Sequence, residues 1–168
     1  SAGGGMVLRL EDLDPDRCRP EFCDQVMRDL EWLGLDWDGQ PIYQSRRTEA
    51  YAAAFRALED QGLVYPCFCT RAQRLAASAP HRSDGVVLYS GRCRHLTPAE
   101  RETLSAQRAP AWRVQVPEET VSFRDQIQGD YAQNLAAECG DFILRRSDGV
   151  YAYQLAVVVD DAFQGVTQ

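Results

Sequence analysis

The chain has 168 residues, 45% of them hydrophobic and 26% charged, enough for one domain with an insertion or for two small ones. Its formal net charge of −7 is the opposite of the basic footprint by which proteins hold nucleic acid through bulk electrostatics, so an RNA partner would have to be held by local arginines. No apolar run approaches the roughly 20 residues of a membrane span, and residues 1–5 do not read as a signal peptide, so a soluble, cytoplasmic protein without a membrane partner is expected.

Residues 6–10 are a short apolar run of strand type that ends in the acidic residues Glu11, Asp12 and Asp14. Pro20 then opens a helix whose apolar positions Phe22, Val26, Leu30 and Leu33 are spaced by four, four and three, and Gly34 closes it. A second helix is predicted from a Ser45 cap through Tyr51, Phe55 and Leu58 to a Gly62 stop. Capping-box patterns at Thr70 to Gln73 and at Thr97, Pro98 and Glu100 predict two short helices. Beyond Pro110 the pattern turns to strands, at 111–116, 120–124, 142–145 and 151–159. The turn Ser147-Asp148-Gly149 predicts that the last two form a hairpin.

Six cysteines in a chain without an export signal read as metal ligands or reduced thiols rather than disulfides. Cys67 and Cys69 form a tight Cys-x-Cys knuckle answered by Cys93, with Tyr89 four residues before that cysteine and His95 two after it. This spacing can close a tetrahedral zinc site around a segment with little else to fold around, although three ordinary buried cysteines would give the same letters. On chemical grounds imidazole is the commoner fourth ligand, which favours His95. Cys18, Cys23 and Cys139 have no partner at ligand spacing.

All 18 basic residues are arginine, so planar, bidentate groups suited to phosphate stand at Arg46, Arg47, Arg71, Arg74, Arg92, Arg94, Arg145 and Arg146, and most of them are expected to be solvated. No lysine is present to meet a phosphate or form a Schiff base. Glu11, Asp12 and Asp14 lie where a strand of an α/β sheet would end, the edge at which such sheets bind ligands, and a carboxylate there could hold a substrate ammonium. The residues alone favour the plainer reading, an acidic turn at a helix entry. Tyr153 could offer a phenol to a pocket or fill core, and in a strand Tyr151 and Tyr153 would share one face.

Several segments taken together carry a resemblance. They are Leu8-Arg-Leu-Glu-Asp-Leu-Asp-Pro15, Leu33-Gly-Leu-Asp-Trp-Asp-Gly39, Tyr43-Gln-Ser-Arg46, Cys67-Phe-Cys69, Gly140-Asp-Phe-Ile-Leu-Arg-Arg146 and Tyr151-Ala-Tyr-Gln-Leu-Ala-Val-Val-Val-Asp-Asp161. In this order they resemble the glutamyl-Q tRNA(Asp) synthetases, short paralogues of glutamyl-tRNA synthetase that lack an anticodon-binding domain. The resemblance implies an α/β class I synthetase core of Rossmann type with a zinc-containing insertion. Residues 1–65 would be the first part of the core, 66–140 the insertion, and 141–168 the return to the core.

The implied function is ATP-dependent activation of glutamate, with magnesium, and transfer of the glutamyl group to the queuosine base of tRNA(Asp) by a monomer. Glu11 and Tyr153 match the family's glutamate-binding positions, which reverses the plainer reading of Glu11, and the two are expected to converge on one pocket. Val157 stands where many full-length glutamyl-tRNA synthetases have asparagine, in keeping with the glutamyl-Q branch. For the metal the resemblance implies Cys67, Cys69, Tyr89 and Cys93, with His95 the alternative because some glutamyl-tRNA synthetases end in Cys-x-His. The family's histidine-containing and lysine-containing ATP motifs are not among these residues, so the core is expected to be incomplete at both ends and inactive alone. The competing expectations are a zinc-stabilised RNA-binding fragment without chemistry and a glutamyl-tRNA synthetase cut off before its anticodon domain.

Overall fold

Two short segments, Arg9–Leu10 (β1) and Ile42–Tyr43 (β2), pair in parallel, Arg9 opposite Ile42 and Leu10 opposite Tyr43. Parallel neighbours need a crossover, and helix α1 (Pro20–Trp32) lies in it. The computed structural model describes residues 3–70, 73 and 89–167. It divides into two units, Ser1–Phe55 with Val150–Gln168 and Arg56–Gly149. Of the residues singled out above, Arg71, Arg74 and most of the helix expected after Thr70 lie outside the described residues.

In the first unit α1 starts as its sequence dictates. Proline at the first helical position costs no hydrogen bond, because that N–H would have no partner in the helix. Gly34 takes a left-handed φ of 73°, and Leu35 N–H returns to Leu30 C=O to close the last turn. Helix α2 (Thr48–Asp60) buries Tyr51 and Phe55 at i and i+4 and ends before Gly62, whose φ is 69°. Its expected cap does not form. Ser45 lies in a 3-10 turn (Gln44–Arg46) and gives its N–H and hydroxyl to the Asp12 carboxylate at 2.8 and 2.6 Å.

The strand expected over 151–159, and with it the hairpin, is overturned. Tyr153–Gln164 is a helix, which ends at Gly165 with φ 66°. Leu155, Ala156 and Asp160 are buried while Val158 faces out, a period of 3.6 that only a helix produces. Three consecutive valines suggested β structure, but tertiary burial at i, i+1 and i+5 outweighs that weak propensity. The Ser147-Asp148-Gly149 turn does form, with Gly149 N–H bonded to Arg146 C=O.

The second unit contains an antiparallel sheet in the order Val64–Cys67 (β3), Ala111–Val114 (β4), Ile143–Arg145 (β7). Alternation in β3 buries Tyr65 and Cys67 on one face. Pro66 is tolerated because β3 is an edge strand. Thr120–Asp125 (β5) pairs with Gly129–Asn134 (β6) in a hairpin whose second strand the sequence did not signal, since β6 is mostly polar and exposed. The Thr97–Glu100 capping box opens helix α3 (Pro98–Gln107), with Glu100 N–H on the Thr97 hydroxyl and the Glu100 carboxylate on Thr97 N–H. A one-turn helix α4 (Leu135–Glu138) follows β6, and α5 is the helix Tyr153–Gln164 of the first unit. Thr70 and Gln73 make the reciprocal bonds of the other capping box, at 3.1 and 2.8 Å.

Candidate metal centre and substrate cleft

Cys67 ends β3, Cys69 follows after one residue, and Cys93 sits in a 3-10 turn (Arg92–His95) entered through Gly91 at φ 74°. The three sulfurs lie within 4.8 Å of one another. Cys69 Sγ is 3.5 Å from Cys93 Sγ, and Tyr89 Oη is 3.5 Å from Cys67 Sγ and 3.7 Å from Cys69 Sγ. Around a tetrahedral zinc, sulfurs stand about 3.8 Å apart and a sulfur and an oxygen about 3.5 Å apart, given the usual bond lengths. The three measured separations, 3.5, 3.7 and 3.5 Å, are close to these values, so the donor set suits a zinc ion. His95, in the same 3-10 turn as Cys93, is exposed and is not part of this cluster.

Burial raises the Cys67 thiol, but hydrogen bonding from Tyr89, the Cys69 N–H and Arg113 outweighs it and holds the group below its ordinary value. Cys69 is pushed up to about 11, by burial first and then by the neighbouring sulfurs. A cation bound among the sulfurs would favour their thiolate form.

Around this cluster runs a buried polar network that sequence reasoning missed. Asp141, 4% exposed, accepts four hydrogen bonds, from the Tyr65 hydroxyl, Arg94 Nε and Nη2, and Val116 N–H. Its backbone carbonyl accepts Arg113 Nη1, and the Arg113 guanidinium lies over the Tyr89 ring, 3.8 Å from the centroid. Arg113 is itself 4% exposed. The sequence signal was the segment Gly140-Asp-Phe, which bears a charge before an apolar strand.

In the first unit Glu11 comes immediately after β1 and lines a cleft of about 710 Å³ together with Arg9, Asp38, Asp161 and Gln164. Arg9 Nη1 reaches Asp161 Oδ1 at 2.6 Å and Gln164 Oε1 at 2.9 Å, and its Nε stands 3.7 Å from Glu11 Oε1. Asp12 is occupied by Ser45, and Asp14 caps its own turn through Asp16 N–H. Of the three carboxylates of the acidic stretch, Glu11 is the one turned to the cleft. Tyr153 is 53% exposed on the first turn of α5 and is not among the described residues lining that cleft.

Asp160, fully buried, accepts from Gln44 Nε2, Arg47 Nε and the Tyr51 hydroxyl at 3.0, 2.6 and 2.8 Å. Burial and this carboxylate push the Tyr51 phenol well above its ordinary value. Of the arginines marked as phosphate-competent, Arg47, Arg94 and Arg146 are paired with carboxylates of the chain. Arg46 lies over the Tyr43 ring at 4.3 Å.

The whole chain, residues 1–168, matches the family model described as tRNA synthetases class I (E and Q), catalytic domain. A glutamyl-Q tRNA(Asp) synthetase of Thiobacillus denitrificans is 51% identical over 99% of this chain and 53% of its own length. One of Neisseria meningitidis is 50% identical over 99% of this chain and 55% of its own. The chain thus spans about half the length of the curated relatives it matches. A glutamate tRNA ligase of Elizabethkingia meningosepticum, crystallised in complex with its amino acid, matches with a TM-score of 0.78 and 26% identity, over 98% of this chain and 36% of that one. The glutamate-tRNA synthetase of Elizabethkingia anophelis gives 0.80 and 26%, over 98% and 37%.

Proposed function

The chain belongs to the class I tRNA synthetases of the E and Q type, as part of their catalytic domain, and from that premise we propose that it serves ATP-dependent activation of glutamate and its transfer to the queuosine base of tRNA(Asp). The observation that carries the amino-acid half of this reading is Glu11, a carboxylate at the carboxyl end of a parallel strand that opens on a cleft. The identity of half the residues to glutamyl-Q tRNA(Asp) synthetases supports the queuosine half.

In this reading Glu11 takes the substrate ammonium through a charge-assisted hydrogen bond. Arg9, anchored by Asp161 and Gln164, stands with its Nε 3.7 Å from the Glu11 carboxylate at the wall of the cleft. Tyr153, on the first turn of α5 and outside the described residues lining the cleft, is assigned the second contact to glutamate on the family resemblance alone. Activation joins the glutamate carboxylate to the α-phosphorus of ATP and expels pyrophosphate. Positioning and electrostatics suffice for it, and no covalent enzyme intermediate is required. Magnesium would travel with the nucleotide.

Cys67, Cys69, Cys93 and Tyr89 would hold zinc. The metal would supply folding energy to a segment with few apolar residues of its own.

Glutamate-dependent exchange between ATP and pyrophosphate tests the activity, on the chain and on forms extended at either end. Labelled glutamate is then offered to tRNA(Asp) with and without queuosine. Exchange that requires glutamate and transfer that requires queuosine are expected. Transfer to the 3′ end of a glutamate tRNA would point instead to a glutamyl-tRNA synthetase. RNA binding with no exchange in any form would point to a metal-stabilised binding module.

A further inference from the structure

We infer that buried Asp141 is the positioning residue of the sulfur cluster, its carboxylate acting on the segments that carry Cys67 and Cys93 and its backbone carbonyl, through Arg113, on Tyr89. The inference rests on the reading of that cluster as a metal centre.

The geometry is specific. Tyr65, whose hydroxyl Asp141 holds, lies two residues before Cys67 on the same buried face of β3. Arg94, held by a two-pronged ion pair to both carboxylate oxygens, is the neighbour of Cys93 in the 3-10 turn. Arg113 stands opposite Tyr65 in the β3–β4 ladder, donates to the Asp141 carbonyl, and covers the Tyr89 ring. One residue thereby sets where one sulfur leaves the strand, how the turn presents another, and how the phenol ring is oriented. The Cys93 N–H completes the arrangement by donating to Tyr89 Oη at 2.9 Å.

The carboxylate has about four acceptor sites, and the four bonds from Tyr65, Arg94 and Val116 fill them. A buried ion pair gives little net stability compared with apolar packing of the same volume. What it does give is fixed direction, and a tetrahedral centre requires its ligands to be in place within a few tenths of an ångström. Three thiolates around a dication also leave the centre anionic, and the Arg113 guanidinium is the buried cation beside it. Groups that orient metal ligands in this way are typically worth ~10–100-fold in metal affinity.

The test measures zinc affinity by competition with a chromophoric chelator, and the absorption bands of the cobalt-substituted protein, on the chain and its Cys67→Ser, Asp141→Asn and Arg113→Met variants. Far-UV circular dichroism establishes the temperature at which each is folded. One zinc per chain, lost in Cys67→Ser, is expected. Asp141→Asn and Arg113→Met should each bind zinc ~10–100-fold more weakly and shift the cobalt bands. Arg113→Met leaves the four bonds of the Asp141 carboxylate in place and so tests the carbonyl arm alone; if Asp141→Asn does not fold, Tyr65→Phe, which removes one donor to the carboxylate, decides the carboxylate arm by the same readouts. Unchanged affinity and unchanged cobalt bands in the folded variants, with zinc still lost in Cys67→Ser, would overturn the role of Asp141 while sparing the metal centre. A wild-type chain that takes up no zinc overturns both.

Discussion

Tyr89 and Cys67 lie 22 residues apart in sequence, and the phenol oxygen of one is 3.5 Å from the sulfur of the other. The same oxygen is 3.7 Å from Cys69, which places it beside two of the three clustered sulfurs and makes Tyr89 the fourth ligand of the proposed metal centre.

Tyr89→Phe should therefore weaken zinc, and His95→Ala should leave it bound. Metal content after dialysis against a weak chelator measures both. Retention in Tyr89→Phe together with loss in His95→Ala would transfer the fourth position to the imidazole. Cys93→Ser should release the metal and loosen residues 67–95 locally, read by amide exchange, because the β3–β4–β7 sheet has partners of its own.

Replacing Glu11 by Gln should weaken glutamate binding by about 1.5–3 kcal/mol, the scale of a hydrogen bond to a charged group. Titration calorimetry on a form that binds glutamate gives the number. An unchanged dissociation constant would remove Glu11 from the ammonium site. Tyr153→Phe, tested in the same way, asks whether the phenol on α5 reaches the same ligand.

Asp160→Ala should cost about 3–5 kcal/mol of folding stability, because it leaves the half-buried Arg47 unpaired from this carboxylate and takes their acceptor from the buried Gln44 and Tyr51. Denaturant unfolding is the measurement. Val158→Thr, on the exposed face of the same helix, should change stability by less than about 0.5 kcal/mol.

The Glu100 carboxylate is held below its ordinary range, first by the Thr97 N–H and then by the Thr97 hydroxyl. A group whose folded value is depressed stabilises the fold above its unfolded value, and that contribution is lost as pH falls through the folded value. The stability gap between wild type and Glu100→Ala should accordingly be largest near neutrality and narrow below the usual glutamate range. Thermal unfolding across an acid pH series checks this. A gap that stays constant would mean that the carboxylate charge contributes nothing to the cap.

What the sequence determined by itself is local. The proline start and glycine stop of α1, the Gly62 stop of α2 and the Thr97–Glu100 box all depend on residues within a turn or two of one another. Cysteine spacing also belongs here, since few functions place sulfurs in that pattern. Tertiary structure decided the rest. It made 153–164 a helix, because a weak preference of valine for strands yields to a face that can be buried. It separated Glu11 from Asp12 and Asp14 by giving Asp12 a partner 33 residues away in Ser45. It put Asp141 and Asp160 at the centres of buried networks whose members lie 25 to 76 and 109 to 116 residues off. A charged residue carries no local mark of the partners that will satisfy it, because its burial becomes affordable only when distant chain segments bring the donors to it.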